Sequence, residues 1–303
     1  MPIFLSAPLR LVLAALGLCV SCLPRKAELC LGSGLGRMVL AAGGFKLATV
    51  RGNIKRCFPE LDAKSRQELE KRNFKHYGIL FLEFAHFFSP IPGHYKAYAR
   101  RISRLEGREN WEKANAKGKG VIFVSCHVGF WEMLAAAGGL SGMPLTAVTK
   151  VLQPPWLDRK ITSCRLSTNV RAAYHPGSVP AVLRALRKGE SVAFMNDQYA
   201  GPPTGIPVPF FGVLVSTLGA VPPLAQRTGA AILPVSCWRD DDGMVRVQVE
   251  PELELGADLG DTRKATAIIA AKVEQWIRRH PEQWLWIHRR FKSVASSMSL
   301  PIA

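Results

Sequence analysis

Val121-Ile122-Phe123-Val124-Ser125-Cys126-His127-Val128-Gly129-Phe130-Trp131-Glu132-Met133-Leu134 decides how this chain is read. The uncharged run Val121 to Cys126 fits a strand buried on both faces, as parallel sheets require. A histidine ends it, a glycine follows, and Glu132 opens a helical segment, Trp131 to Leu140. A base delivered at a strand end can activate a hydroxyl without a serine or a metal. On one continuous helix, residues five apart diverge by roughly 140° and do not meet. With His127 in the turn, Gly129 lets the backbone fold back, and Glu132 can then accept the imidazole N–H. That would leave the other ring nitrogen as a base. The bare spacing also fits a capping glutamate beside a structural histidine. Cys126 points to the opposite face from His127, and no G-x-S-x-G elbow surrounds Ser125.

Outward from this stretch, strands alternate with helices. Strands are expected at Pro144 to Val151, Val170 to Tyr174, Ser191 to Met195, Ala231 to Trp238 and Val245 to Val249. Helices are expected at Pro155 to Ser167, Val179 to Lys188, Ser216 to Gly229 and Arg263 to Arg279. Such β-α units predict an α/β fold with a mostly parallel central sheet flanked by helices and sites at the carboxyl ends of strands. Asp197-Gln198 ends one strand, and Gly201 to Gly212 reads as a loop rich in glycine and proline. Ala27 to about Ser89 reads as helical, with a cap at Asp62.

The chain has 303 residues, 48% of them hydrophobic, which supports a large core and excludes disorder. A formal charge of +17 points to an anionic partner. The aromatics sit in apolar runs rather than between bases, which argues against nucleic acid. Cys19, Cys22, Cys30, Cys57, Cys126, Cys164 and Cys237 are irregularly spaced and read as buried free thiols. No zinc-finger or His-Glu-x-x-His spacing occurs, so neither a metal nor a cofactor is expected. Leu11 to Pro24 is apolar and followed by Arg25 and Lys26, so residues 1–24 are read as a membrane anchor, spanning or in-plane, ahead of a catalytic domain over 25–303. Arg165 offers a planar fork for phosphate, and Arg289 and Arg290 beside Trp286 offer charge to anionic headgroups; inert surface arginines fit equally well.

Cys126-His127-Val128-Gly129-Phe130-Trp131-Glu132 resembles the His-x4-acid box of lysophospholipid acyltransferases, in the form found in the lipid A late acyltransferases. Arg51-Gly52-Asn53-Ile54 with Cys57-Phe58-Pro59-Glu60 resembles a second block of that family. Leu157-Asp158-Arg159 with Arg165 resembles a third. Asn196-Asp197-Gln198 with Gly201, Gly205 and Val208-Pro209-Phe210-Phe211-Gly212 resembles a fourth, and Trp286-Ile287-His288-Arg289-Arg290-Phe291-Lys292 the closing one. The resemblance spans about residues 25–292. It departs at Phe130, where the family usually carries Asn, and at Lys150, near a usual Arg. It implies a glycerol-3-phosphate acyltransferase-like fold and an O-acyltransferase at the cytoplasmic face of the inner membrane. The donor would be acyl carrier protein and the acceptor a hydroxyl of a lipid A precursor, with a lysophospholipid, ornithine lipid or other glycolipid as the alternative. His127 and Glu132 would be catalytic. Arg165, Lys150, Asp197, Gln198, Gly201, Phe210 and Arg289 would bind substrate.

Overall fold

The computed structural model describes residues 3–292. Four helices lead: α1 (Ile3–Ser21), α2 (Arg25–Ala41), α3 (Leu47–Cys57) and α4 (Ala63–Ala85). The expected cap is present, with Asp62 Oδ1 accepting from the Ser65 amide at 2.7 Å. Then come α5 (His94–Ile102), β1 (Ser103–Glu106), α6 (Arg108–Asn115), β2 (Val121–Ser125), α7 (Trp131–Leu140), β3 (Leu145–Lys150), α8 (Pro155–Ser167) and β4 (Val170–His175). The chain continues through α9 (Val179–Arg187), β5 (Ser191–Met195), β6 (Gly205–Phe210), β7 (Val213–Leu218), α10 (Val221–Thr228), β8 (Ala231–Arg239), β9 (Val245–Val249) and α11 (Thr262–Arg279). Residues 293–303 of the expected catalytic domain lie outside the described residues.

Seven strands form one sheet in the order β1-β9-β8-β2-β5-β3-β4, parallel throughout except for the β8–β9 hairpin. Every residue of β2 is buried, which is why its sequence lacks the alternation of a half-exposed strand. β2 and β5 are neighbours in parallel, with Ser125 level with Met195. Two residues further along each strand lie His127 and Asp197.

Three expectations need correction. The stretch 205–218 is neither a loop nor the start of a helix: β6 and β7 form a separate antiparallel pair. Val208 and Phe210 face inward while Pro207 and Pro209 face out. The two prolines share one parity, so their missing donors fall together on the free edge, where no ladder bond is lost. Of the cysteines, Cys57, Cys126, Cys164 and Cys237 are buried but Cys19, Cys22 and Cys30 are exposed. The spanning anchor finds no support, because among the described residues no helix is long and apolar enough to cross a membrane. α1 instead lies on the body, with Val20 packed against Leu82 and Ala85 of α4. A Cβ on Gly17 would stand 2.5 Å from the backbone at Phe88 and Ser89, so glycine sets that approach.

Beneath these helices runs a buried ionic network. Arg25 donates to Glu83 at 2.5 Å and to the Gly243 carbonyl at 2.8 Å. Glu28 accepts from Tyr98 at 3.0 Å and bonds His86 Nε2 at 3.2 Å. Arg239 of β8 pairs with Glu83 and reaches His76 at 2.9 Å. The network ties α2, α4 and α5 to the sheet.

Candidate active site

Because β2 and β5 end level, residues at equal offset beyond them meet. His127 Nδ1 lies 2.8 Å from Asp197 Oδ1, and the His127 amide donates to Asp197 Oδ2 at 3.0 Å. Trp284 Nε1 donates to the same Oδ2 at 2.8 Å. Burial alone would raise the Asp197 carboxyl, but the His127 charge and the hydrogen bonds from His127 and Trp284 outweigh it and bring its pKa to about 2. An ionised carboxylate only accepts, so Nδ1 carries the proton and Nε2 keeps its lone pair. Among the described residues Nε2 has no protein partner, and the ring retains 15% of its exposure. Trp131 meets the ring edge-on at 4.9 Å, limiting its rotation.

The segment after α11 straps this turn in place. The Gly129 amide donates to the Gln283 carbonyl at 3.1 Å, and the Leu285 amide donates to the His127 carbonyl at 3.2 Å. Asn53 of α3 donates to the carbonyls of Trp286 and His288, and Asn73 of α4 to those of Glu282 and Trp284, all at 2.8–3.0 Å. Gly129 has φ +64, and a Cβ there would stand 2.9 Å from Trp238 Cα, so the turn needs glycine twice over.

The expected contact between His127 and Glu132 is not made. Glu132, buried in the first turn of α7, accepts two bonds from Arg165 of α8, at 2.7 Å and 3.0 Å. A second carboxylate, arriving from β5, occupies the imidazole instead. Asp197 is therefore not a substrate contact, being 2% exposed and committed to His127. Phe210 is corrected as well: it is 1% exposed and packed against Phe211, Trp284 and Phe291, inside the core rather than at a surface open to substrate. Arg290 faces inward rather than to headgroups, donating to the Gln198 and Ser216 carbonyls at 2.8 Å and 2.7 Å and to Thr217. Burial lowers its pKa to about 10 against the pull of Asp197. Arg289 and Lys150 are exposed, Lys150 at the end of β3 beside β5. Gln198 Nε2 stands 3.5 Å from His127 Nδ1, and the Gly201 carbonyl accepts from the Gly205 amide at 3.0 Å.

Sequence reasoning missed Trp284 and Asn53 as parts of the site, and His288 as its neighbour. Among the described residues the buried Nδ1 of His288 has no partner, and burial pushes its pKa down to about 4, with Asp197 opposing and the His127 charge assisting. The run Trp284-Leu285-Trp286-Ile287-His288, dense in aromatics near the chain end, was the available signal. Among the described residues no group of three or more His, Cys, Asp or Glu is placed to hold a metal ion.

A base held by a buried carboxylate at the mouth of a parallel sheet suits proton removal from a hydroxyl. The sequence model of the bacterial lipid A biosynthesis acyltransferases matches residues 5–293. The chain belongs to that family. It is an acyltransferase. Lipid A biosynthesis palmitoleoyltransferase of Escherichia coli (strain K12) is 30% identical over 266 residues, covering 87% of this chain and 84% of the relative. The lauroyltransferase of the same organism is 29% identical over 268 residues, with the same coverages. A phosphatidylinositol mannoside acyltransferase of Mycobacterium tuberculosis (strain CDC 1551 / Oshkosh) is 28% identical over 240 residues, covering 78% and 74%. Among solved structures, the 1-acyl-sn-glycerophosphate acyltransferase of Thermotoga maritima aligns with a TM-score of 0.41 at 13% identity, covering 86% of this chain and 99% of that one.

Proposed function

We propose that the chain transfers a fatty acyl group from an acyl thioester on acyl carrier protein to a hydroxyl of a lipid A precursor, at the cytoplasmic face of the inner membrane. The observation that carries this reading is the open Nε2 of a histidine whose Nδ1 is fixed by Asp197. Nε2 takes the hydroxyl proton as the oxygen attacks the thioester carbonyl. The tetrahedral intermediate collapses, the C–S bond breaks, and the departing thiolate takes the proton back from the imidazolium. Asp197 stays ionised throughout and stabilises the transient cation. No acyl-enzyme forms.

Glu132 is a positioning residue here: its two oxygens hold the Nε–Nη2 edge of the Arg165 guanidinium and leave Nη1 toward Thr149. Exposed Lys150 and Arg289, with Gln198 next to the His127 ring and Gly201, are assigned to substrate binding. The charge of +17 suits an acidic carrier and a phosphorylated lipid alike. The likeness to mannoside acyltransferases supports a second reading, transfer to another sugar-bearing lipid. Two measurements test these. Purified protein with acyl carrier thioester should acylate the lipid A precursor, and His127→Ala should lower turnover by about 10⁴-fold or more. Near wild-type turnover in that variant overturns the mechanism. Mass spectrometry of lipids from a deletion strain identifies the acceptor as the lipid that loses one acyl chain.

A further inference from the structure

α2 and α4 run antiparallel and touch where glycines remove side chains. A Cβ on Gly36 would stand 1.9 Å from the Phe74 carbonyl oxygen, and one on Gly78 would stand 2.0 Å from that of Gly32. Beside this seam opens a cleft of about 570 Å³, lined by Arg37, Leu40 and Ala41 of α2 and Glu68, Lys71 and Lys75 of α4. Lys71 reaches Glu68 at 3.7 Å. Among the described residues Arg37 and Lys75 have no carboxylate partner, so one acid faces three bases. Along the same stretch of chain Met38, Val39 and Phe45 are exposed, Met38 and Phe45 by more than 60%. Lys46 Nζ stands 5.2 Å from the Phe45 ring centroid.

Two exposed bases and a half-buried one line this cleft, and exposed apolar side chains follow Arg37 on α2 and in the turn after it; together they match one ligand chemistry. A free anion would use the cations but leave Met38, Val39 and Phe45 in water. A neutral membrane would cover the apolar side chains but leave the cations unmatched. An anionic phospholipid answers both, with its phosphate in the cleft and its acyl chains over the apolar side chains. We propose that the α2–α4 cleft binds the headgroup of an anionic phospholipid and so holds this face against an anionic bilayer. The proposal rests on the membrane-surface part of the function proposed above and is independent of the chemistry at His127.

The test is co-sedimentation of the full chain with vesicles of phosphatidylcholine alone or of equal parts phosphatidylcholine and phosphatidylglycerol. The wild type should prefer the anionic vesicles. The triple variant Arg37→Gln, Lys71→Gln, Lys75→Gln should lose that preference by on the order of a hundredfold, from about 1 kcal/mol per base at an anionic surface. A charge-matched control, Lys119→Gln, Arg187→Gln, Arg227→Gln, removes exposed bases far from the cleft in the sequence and should retain the preference. Equal losses in both variants would reduce the effect to net charge and overturn the cleft. Displacement by inorganic phosphate at concentrations that leave the control salt inert would reassign the cleft to a free anion, which also overturns the proposal. Acyl transfer measured in detergent should be unchanged in the triple variant, so a failure of the catalytic reading would show there and leave the vesicle result standing.

Discussion

Glu28 with His86 and Asp197 with His127 are the same pairing in two settings. His86 spends both ring nitrogens, Nε2 on Glu28 at 3.2 Å and Nδ1 on His94 at 2.7 Å, and stacks on Tyr98 with centroids 3.6 Å apart. His127 spends one nitrogen and leaves the other without a protein partner among the described residues, its side chain 15% exposed. The first pair lies among helices and closes on itself; the second lies at strand ends, where a parallel sheet leaves space. What converts a carboxylate–histidine pair into a base is the nitrogen left over, and that is decided by where the backbone delivers the ring.

The comparison breaks most visibly at Asp197. In Asp197→Asn, the two N–H groups that donate to Oδ2 should hold the amide oxygen on their side and turn the NH₂ toward Nδ1. That forces the proton onto Nε2 and disables the base, so kcat should fall by about 10⁴-fold while the thermal unfolding midpoint barely moves. Retention of a tenth of the rate would remove Asp197 from the mechanism. Glu132→Gln should instead loosen Arg165 and raise KM for the acceptor by about tenfold, with a smaller change in kcat. In Glu28→Gln the order inverts. Removing one charge from the network with Arg25 and His86 should cost about 3 kcal/mol, seen as a fall in Tm of about 6 °C, with unchanged turnover per folded molecule.

The contrast is sharpened further through pH. Burial lowers the His94 pKa from 6.5 to about 4, helped by the charges of His86 and Arg101, and burial brings His288 to about 4 as well. The unfolded chain therefore binds more protons than the folded one between those values. Stability is complete above pH 6.5 and declines as pH falls toward 4, which urea titrations across that range would show. Asp197 acts lower still, its contribution being lost only as pH falls from 3.8 through about 2. A flat profile from pH 6.5 to 4 would mean that neither ring is desolvated as described.

The strand β5 and the helices α7 and α8 were legible to the residue, because each is a run of one periodicity bounded by glycine or proline. β6 was hidden by Pro207 and Pro209, which read as breakers although a free edge accepts them. β1 was hidden by its shortness, since Ser103–Glu106 carries no pattern until β9 lies beside it. At the site, the placement of His127 just past the end of β2 was legible from its own neighbourhood. Its partner was misassigned because local spacing offers Glu132 and cannot show that β5 lies next to β2. Equal offset past two apolar strands would have pointed to Asp197, but only once the strand order was known.

Trp284 lies near the carboxyl end of the chain, yet it completes a centre whose other members appear more than eighty residues earlier. A ribosome that has delivered every strand of the sheet has still not delivered the indole that holds Asp197 or the amide that holds the His127 carbonyl. The imidazole and its carboxylate are thus made well before the segment after α11 that fixes them. Proteolytic clipping ahead of residue 284 would take Trp284, Trp286 and Phe291 out of the core together with the indole that holds Asp197.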